Sequence, residues 1–380
     1  MKIFETEERV ALKDMVRNFA EKEVAPNIDQ WERDGFIPME LHARAAEVGI
    51  LGIGFDEAVG GSGGDLIDFC VMGEELILSG RSSGLMMALF THRVALAPLI
   101  SCGTPEQVEK FVRPTLEGRM VVALGITEPE GGSDVAGLRT TARRDGDDYI
   151  VNGSKTFISS GVRADAVVTA VRTGEPGHQG LSLLVIEKNT PGFEVTRRLD
   201  KMGWDCSDTA ELAFTDVRVP AANLIGVENG GFRLIMELFQ HERLGQAGMA
   251  YGIAKRSLDL AVEWCRERST FGRPLIQRQV VRHRLAEMAQ AVDVSGQYLK
   301  NTIVRVSEGE IIVPQVCWAK LEATKASSFV VDRALQLHGG SGYMRDTEIN
   351  RHYRDARVMS IAGGTDEIMT EIVTKWMGFA

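Results

Sequence analysis

The sequence predicts an α+β multidomain protein, helical at both ends and β in the middle. Two changes of hydrophobic period carry this reading. Apolar residues recur at helical spacing up to about Gly118, follow a period of two from about Met120 to Leu224, and return to helical spacing after Gly230-Gly231. Size is the third support: 380 residues, 44% apolar and 25% charged, can bury two or three cores. The order of helices, strands and helices sets domains at 1–120, 121–229 and 230–380.

The first domain starts at Thr6-Glu7-Glu8-Arg9, where a threonine cap precedes Val10, Leu12 and Val16 at helical spacing. Pro26, Pro38, the glycines from Gly60 to Gly64 and Gly103-Thr104-Pro105 then divide it into four to six helices. Thr104 with Pro105 behind it is a further helix start. The glycine cluster lacks the Lys-Ser/Thr of a phosphate loop and reads as a turn. In the middle domain, residues 138–144, 149–151 and 155–158 are joined by Asx-Gly turns into hairpins, and 166–171, 181–186, 193–197 and 210–217 add strands. Strands without intervening helices predict a compact antiparallel barrel or sandwich. The last domain opens with 232–267, which has no proline and reads as one helix of about ten turns. Pro274 and Pro314 mark later boundaries, before helices at 316–337 and 348–377.

Composition removes several function classes. A formal net charge of −10, with no stripe of Lys and Arg, excludes a nucleic-acid partner. Cys70, Cys102, Cys206, Cys265 and Cys317 are odd in number and far apart, so they read as reduced thiols in the cytoplasm and not as a zinc site; no metal is expected. The acidic start, Met1 to Glu8, lacks the apolar segment of a signal peptide, and no run approaches the ~20 apolar residues of a membrane span.

The chemistry begins at Ile126-Thr127-Glu128-Pro129-Glu130-Gly131-Gly132-Ser133-Asp134, after the apolar run that starts at Val121. Glu128 before Pro129 stays extended, and the glycines and Ser-Asp that follow can turn backbone N–H groups and hydroxyls into one concavity. Such residues also make ordinary turns. Read with Gly153-Ser154-Lys155-Thr156-Phe157-Ile158-Ser159-Ser160-Gly161, the stretch resembles the flavin-binding middle domain of the acyl-CoA dehydrogenase family. The resemblance runs to the last twenty residues. It implies an N-terminal all-α domain, a middle antiparallel β-barrel and a C-terminal four-helix bundle. It also implies FAD, cradled by Ile126, Thr127, Gly132, Ser133, Phe157, Ile158 and Ser159, with Ser133 reaching the substrate too. Phe157 stands where much of the family has tryptophan.

On the long helix, Ile235, Leu238, Phe239, Met249 and Ile253 fall on one stripe, with Glu242 and Gln246 among them. A carboxylate there loses hydration, so its pKa rises and its conjugate base strengthens. A structural pair with Arg243 or His241 would also account for it. The resemblance favours catalysis. Many family members carry the base in a Tyr-Glu-Gly-Thr phrase, which here reads Ala362-Gly363-Gly364-Thr365, whereas isovaleryl-CoA and long-chain types place it on the long helix before an arginine, as in Glu242-Arg243. Glu242 would remove the α-proton of an acyl-CoA thioester while the β-hydride leaves to flavin N5, giving a trans-2-enoyl-CoA. Arg243, Gly363 and Gly364 would meet the substrate, with the Gly363 N–H on the thioester oxygen. Thr365 and the rival carboxylate Glu367 fall to the cofactor's surroundings.

The resemblance further assigns Arg268, Thr270, Phe271 and Gln279, and Gln336, Gly339 and Gly340, to an FAD site completed across a subunit boundary. It implies a homotetramer built from two dimers, fatty-acid β-oxidation, and an electron-transferring flavoprotein as acceptor. An acyl-CoA oxidase or flavin hydroxylase of the same fold, and a non-catalytic acyl-CoA-binding subunit, are the alternatives. His92 and Arg93 fall in the segment that would line the acyl pocket, where a polar acyl tail or a plain structural role would explain them. Small residues Gly245, Ala247 and Gly248 predict a wide pocket for a branched or long acyl group.

Overall fold

The computed structural model describes residues 2–379. It has the three-part α+β architecture that the sequence predicts, and local chemistry sets where each part begins. Helix α1 (Glu7–Phe19) starts at Thr6, whose hydroxyl accepts from the Arg9 N–H at 3.4 Å. Helix α2 (Leu66–Gly80) starts at Asp65 through a reciprocal capping box with Asp68. Helix α3 (Gly84–Cys102) kinks at Phe90, where the Thr91 hydroxyl reaches back to the Met87 carbonyl. The Thr104 signal holds as well: its hydroxyl accepts from Gln107 N at 3.3 Å, and Gln107 Oε1 accepts from Thr104 N at 3.2 Å.

Contrary to the sequence reading, α3 is long and apolar enough to cross a membrane, with a mean hydropathy of 1.5. The hydropathy serves the core. Some 61% of that window is buried within the protein, where α3 packs between the sheet and the C-terminal helices.

The middle part has strands β1 (Val122–Gly125), β2 (Thr141–Asp145), β3 (Asp148–Ser159), β4 (Ala166–Arg172), β5 (Leu181–Glu187), β6 (Phe193–Arg198), β7 (Thr209–Pro220) and β8 (Leu224–Ile225). They form one sheet in the order β6-β7-β3-β2-β4-β5-β8, with β1 added on β4. The sheet is mixed. β1 runs parallel to β4, Val122 opposite Ala166, and β2 meets β4 in parallel at Thr141 and Arg172, whereas the sequence reading expects antiparallel neighbours throughout. Alternation tells which face a residue occupies and says nothing of strand direction, and the β2–β3 hairpin gives the chain length enough to re-enter beside β1 the same way round. β4 and β5 are apolar nearly throughout because both faces are covered, by α3 on one side and by the opposing half of the sheet on the other.

The last part packs α4 (Gly231–Glu267), α5 (Gln279–Ser307) and α6 (Val313–His338) as a bundle, with α7 (Glu348–Ala356) and α8 (Asp366–Trp376) against them. Leu244, Met249 and Ile253 of α4 are buried, each contributing ~1.5–3 kcal/mol. The predicted single helix at 348–377 is broken. Gly363 (φ +61°) and Gly364 (φ +92°) take left-handed conformations that no helix accommodates, and the resulting turn brings backbone up beside α4.

Candidate active site

Glu242 sits a third of the way along α4 on the stripe formed by Ile235, Leu238, Phe239, Met249 and Ile253. Its carboxylate opens into a cavity of about 170 Å³ between α2, α3 and α4, walled by Phe55, Phe69, Met86, Phe90, Leu238 and Met249. Burial raises the Glu242 pKa above the usual carboxylate range, and the positive charges of Lys320 and Arg243 only partly oppose it. Glu242 is half-buried and lines the cavity, so a ligand there can meet the carboxylate, which a proton-abstracting group requires. Gln246, one turn on, donates Nε2–H to Glu242 Oε1 at 3.1 Å and fixes the rotamer.

The Gly363 turn packs against Gln246. Lys320 of α6, fully buried, donates to the carbonyls of Ala362 (2.6 Å) and Gly364, which holds the turn against the bundle. Burial lowers the Lys320 pKa to about 8, against the pull of Glu242 and Asp366. A Cβ at Gly363 would run into the Gln246 amide. The volume that an acidic side chain would fill at position 363 therefore belongs to the residue that orients Glu242. The Gly363 N–H makes no backbone hydrogen bond among the described residues. Arg243 is buried, its Nε without a partner, and it lends Glu242 positive charge. Thr365 caps α8, accepting from Ile368 N at 3.2 Å, while Glu367 is exposed on the first turn and is held below the usual carboxylate range by its own backbone N–H and by Thr365. The rival carboxylate does not face the cavity.

The two flavin-like stretches meet. Thr156 N donates to Thr127 O at 2.9 Å, and the fully buried Lys155 donates to Ile126 O (3.0 Å) and to Glu128 Oε1 (2.8 Å). Glu128 in turn accepts from Arg139 N (2.6 Å) and Thr140 N (2.9 Å), tying both ends of the loop to one carboxylate. Sequence reading misses Lys155, Glu128 and Lys320 as organising residues; the available signal is a lysine on the inward side of an alternating strand and another inside an apolar helix. Gly132 and Ser133 lie exposed on the rim, Ile158 is buried, and Ser159 is half-buried. A register shift between Lys155 and Ile158 turns Phe157 (φ +60°) outward, 68% exposed. Open backbone, hydroxyls and an outward ring suit the isoalloxazine of FAD. The end of β3 reaches the cavity wall directly, through Ser160 Oγ and Thr91 Oγ1 at 3.0 Å.

Arg268, Thr270, Phe271, Gln279, Gln336, Gly339 and Gly340 gather elsewhere. Trp264 stacks on His338 with centroids 5.0 Å apart, joining the two segments at one end of the bundle. Thr270 accepts from Arg278 at 3.0 Å, and Phe271 is 96% exposed. Arg268, the residue that follows α4, lies 26 residues beyond Glu242, roughly 39 Å at 1.5 Å per residue. These groups therefore stand far along α4 from Glu242.

His92 and Arg93 part company. The His92 ring nitrogens face the carbonyls of Leu89 at 2.9 Å and Leu51 at 3.2 Å, and burial lowers its pKa to about 4, so it is a neutral core group that donates to one of the two. Arg93 lines the cavity. Of the small residues read as widening the pocket, Gly245 faces it and Ala247 and Gly248 do not, and aromatic walls leave it narrow.

Three models of the acyl-CoA dehydrogenase family match in succession: the N-terminal domain over residues 6–119, the middle domain over 123–217 and the C-terminal domain over 229–378. The long-chain specific acyl-CoA dehydrogenase of Rattus norvegicus is 36% identical, covering 98% of this chain and 87% of its own. A probable acyl-CoA dehydrogenase from Mycobacterium abscessus superposes with a TM-score of 0.97 at 58% identity, covering 98% of this chain and 99% of its own. A structure titled as an electron transferring flavoprotein of Acidaminococcus fermentans matches with a TM-score of 0.93 at 35% identity, over 98% of each chain.

Proposed function

The chain belongs to the acyl-CoA dehydrogenase family, and from that premise we propose that Glu242 is the base of its reaction. The enzyme is an FAD-dependent acyl-CoA dehydrogenase acting on a thioester in fatty-acid metabolism. The observation that carries the assignment is the pairing of Glu242 with Gln246 across from a side-chain-free Gly363. One carboxylate, desolvated and held by a neighbour's amide, faces the cavity; position 363 has none. Glu242 takes the α-proton, the free N–H of Gly363 receives the thioester oxygen as charge develops, and Arg243 with Lys320 moderates the carboxylate. FAD, when bound, accepts the β-hydrogen with its electron pair. The cavity's apolar walls exclude water from both.

The reading is tested by anaerobic titration of the FAD-loaded protein with straight, branched and polar-tailed acyl-CoAs, following flavin absorbance across a pH series. The base works deprotonated, so the reduction rate should fall as pH drops through the Glu242 pKa, beginning at a higher pH than an ordinary glutamate with its value near 4.5 would give. Absence of bleaching by every thioester would end the assignment.

The distance of Arg268 from Glu242 along α4 supports an FAD site shared between copies, hence a dimer or a tetramer of two dimers; the family membership carries the rest of the proposal, a cytoplasmic enzyme with an electron-transferring flavoprotein as acceptor. Arg268 is exposed and in no ion pair among the described residues, as a phosphate-binding fork from a second copy would be. Arg268→Gln should weaken FAD retention on the order of tenfold, measured by equilibrium dialysis, without altering the assembly seen by sedimentation. Unchanged retention would remove Arg268 from the cofactor site.

A further inference from the structure

The cavity holds a charge that the chemistry at Glu242 does not use. Arg93 enters it from α3, its Cζ 3.7 Å from the Phe69 ring centroid and 5.1 Å from that of Phe55. Of the five N–H donors of a guanidinium, Nη1 donates to Ile53 O at 3.1 Å. No carboxylate lies within 4.0 Å of it among the described residues. Burial lowers its pKa to about 10, so it remains a cation at neutral pH. Two ring faces and one carbonyl only partly compensate a desolvated guanidinium, and the remaining donors have the cavity in front of them. His241, next to Glu242, also lines the cavity, and desolvation and the Arg93 guanidinium lower its pKa. Beyond these and Glu242, Thr91 and Gln246 are the polar side chains of the wall, and the remainder is apolar.

Resting on the reading of this cavity as the acyl site, we propose that the substrate's acyl group ends in a carboxylate, which pairs with Arg93 while the α-carbon lies at Glu242. The apolar wall between takes the methylenes. Arg93 is then a specificity-determining residue: a substrate with a methyl end leaves the cation unpaired, and a pocket built for a polar partner rejects the analogue lacking it far more strongly than an apolar pocket rejects one methylene.

Anaerobic stopped-flow reduction tests this with matched pairs, an unsubstituted acyl-CoA and its ω-carboxy counterpart, over a range of chain lengths. The parent enzyme should favour the ω-carboxy member of at least one pair by on the order of 10² in reduction rate over Kd. Arg93→Met should abolish that preference by weakening the ω-carboxy thioester alone, and Arg93→Lys should restore part of it. A parent enzyme that prefers unsubstituted thioesters at every length overturns the proposal without any variant, as does an Arg93→Met enzyme that loses both series equally. Bleaching by neither series, with FAD bound, would overturn the acyl-CoA reading and this proposal with it.

Discussion

Glu242→Gln should give a folded, FAD-loaded protein whose flavin is reduced by acyl-CoA on the order of 10²–10⁴ times more slowly than in the parent, the range that removal of a general base costs. Glutamine has nearly the shape of glutamate, so the Gln246 contact and the apolar stripe persist while the ability to accept a proton is lost. The loss should appear in the reduction rate and leave thioester binding nearly intact, because the carboxylate acts on the reacting carbon and not on the CoA portion. It should also remove the low-pH limb of the rate profile. A variant reduced as fast as the parent would show that another group takes the proton.

The second large effect falls on stability. Lys155→Met leaves Glu128 buried without its counter-charge and should destabilise the protein by ~3–5 kcal/mol, with loss of FAD from the loop that Glu128 organises. Both side chains are nearly inaccessible, at 0% and 4% exposure, so solvent screens little of this. The double variant Glu128→Gln, Lys155→Met removes both charges and should recover part of the stability, measured by urea unfolding, since the glutamine oxygen can still accept from one of the Arg139 and Thr140 N–H groups while its NH2 faces the other. Equal destabilisation of single and double variants would assign the effect to packing alone. Burial raises the Glu128 pKa, but Lys155 and the N–H donors of Thr140 and Arg139 lower it further, so its folded value lies below the ordinary 4.5. Its contribution is therefore complete above that pH and fades as pH falls through the depressed value.

The architecture was legible because helical and alternating periods separate cleanly along the chain, and because Thr6 and Thr104 cap helices by local chemistry that needs no tertiary context. Glu242 was legible as a carboxylate on an apolar stripe. The parallel β1–β4 pairing was not, since no residue encodes strand direction. Nor were the roles of Lys155 and Lys320: each is a lysine whose partners are backbone carbonyls or a carboxylate far away in sequence, and such pairings exist only once the fold has formed. His92 and Arg93 are adjacent in sequence, yet the helix turns one into the core and the other into the cavity, a distinction set by what packs around α3.

Gln246 and any side chain at position 363 compete for one volume, and this constrains history as well as geometry. A side chain at 363 would have to displace the Gln246 amide, the movable end of a flexible side chain, and so loosen the contact that orients the existing base, besides taking up the strain of a left-handed backbone. Substitutions at 242, 246 and 363 are therefore coupled, the effect of each depending on which residues hold the other two positions.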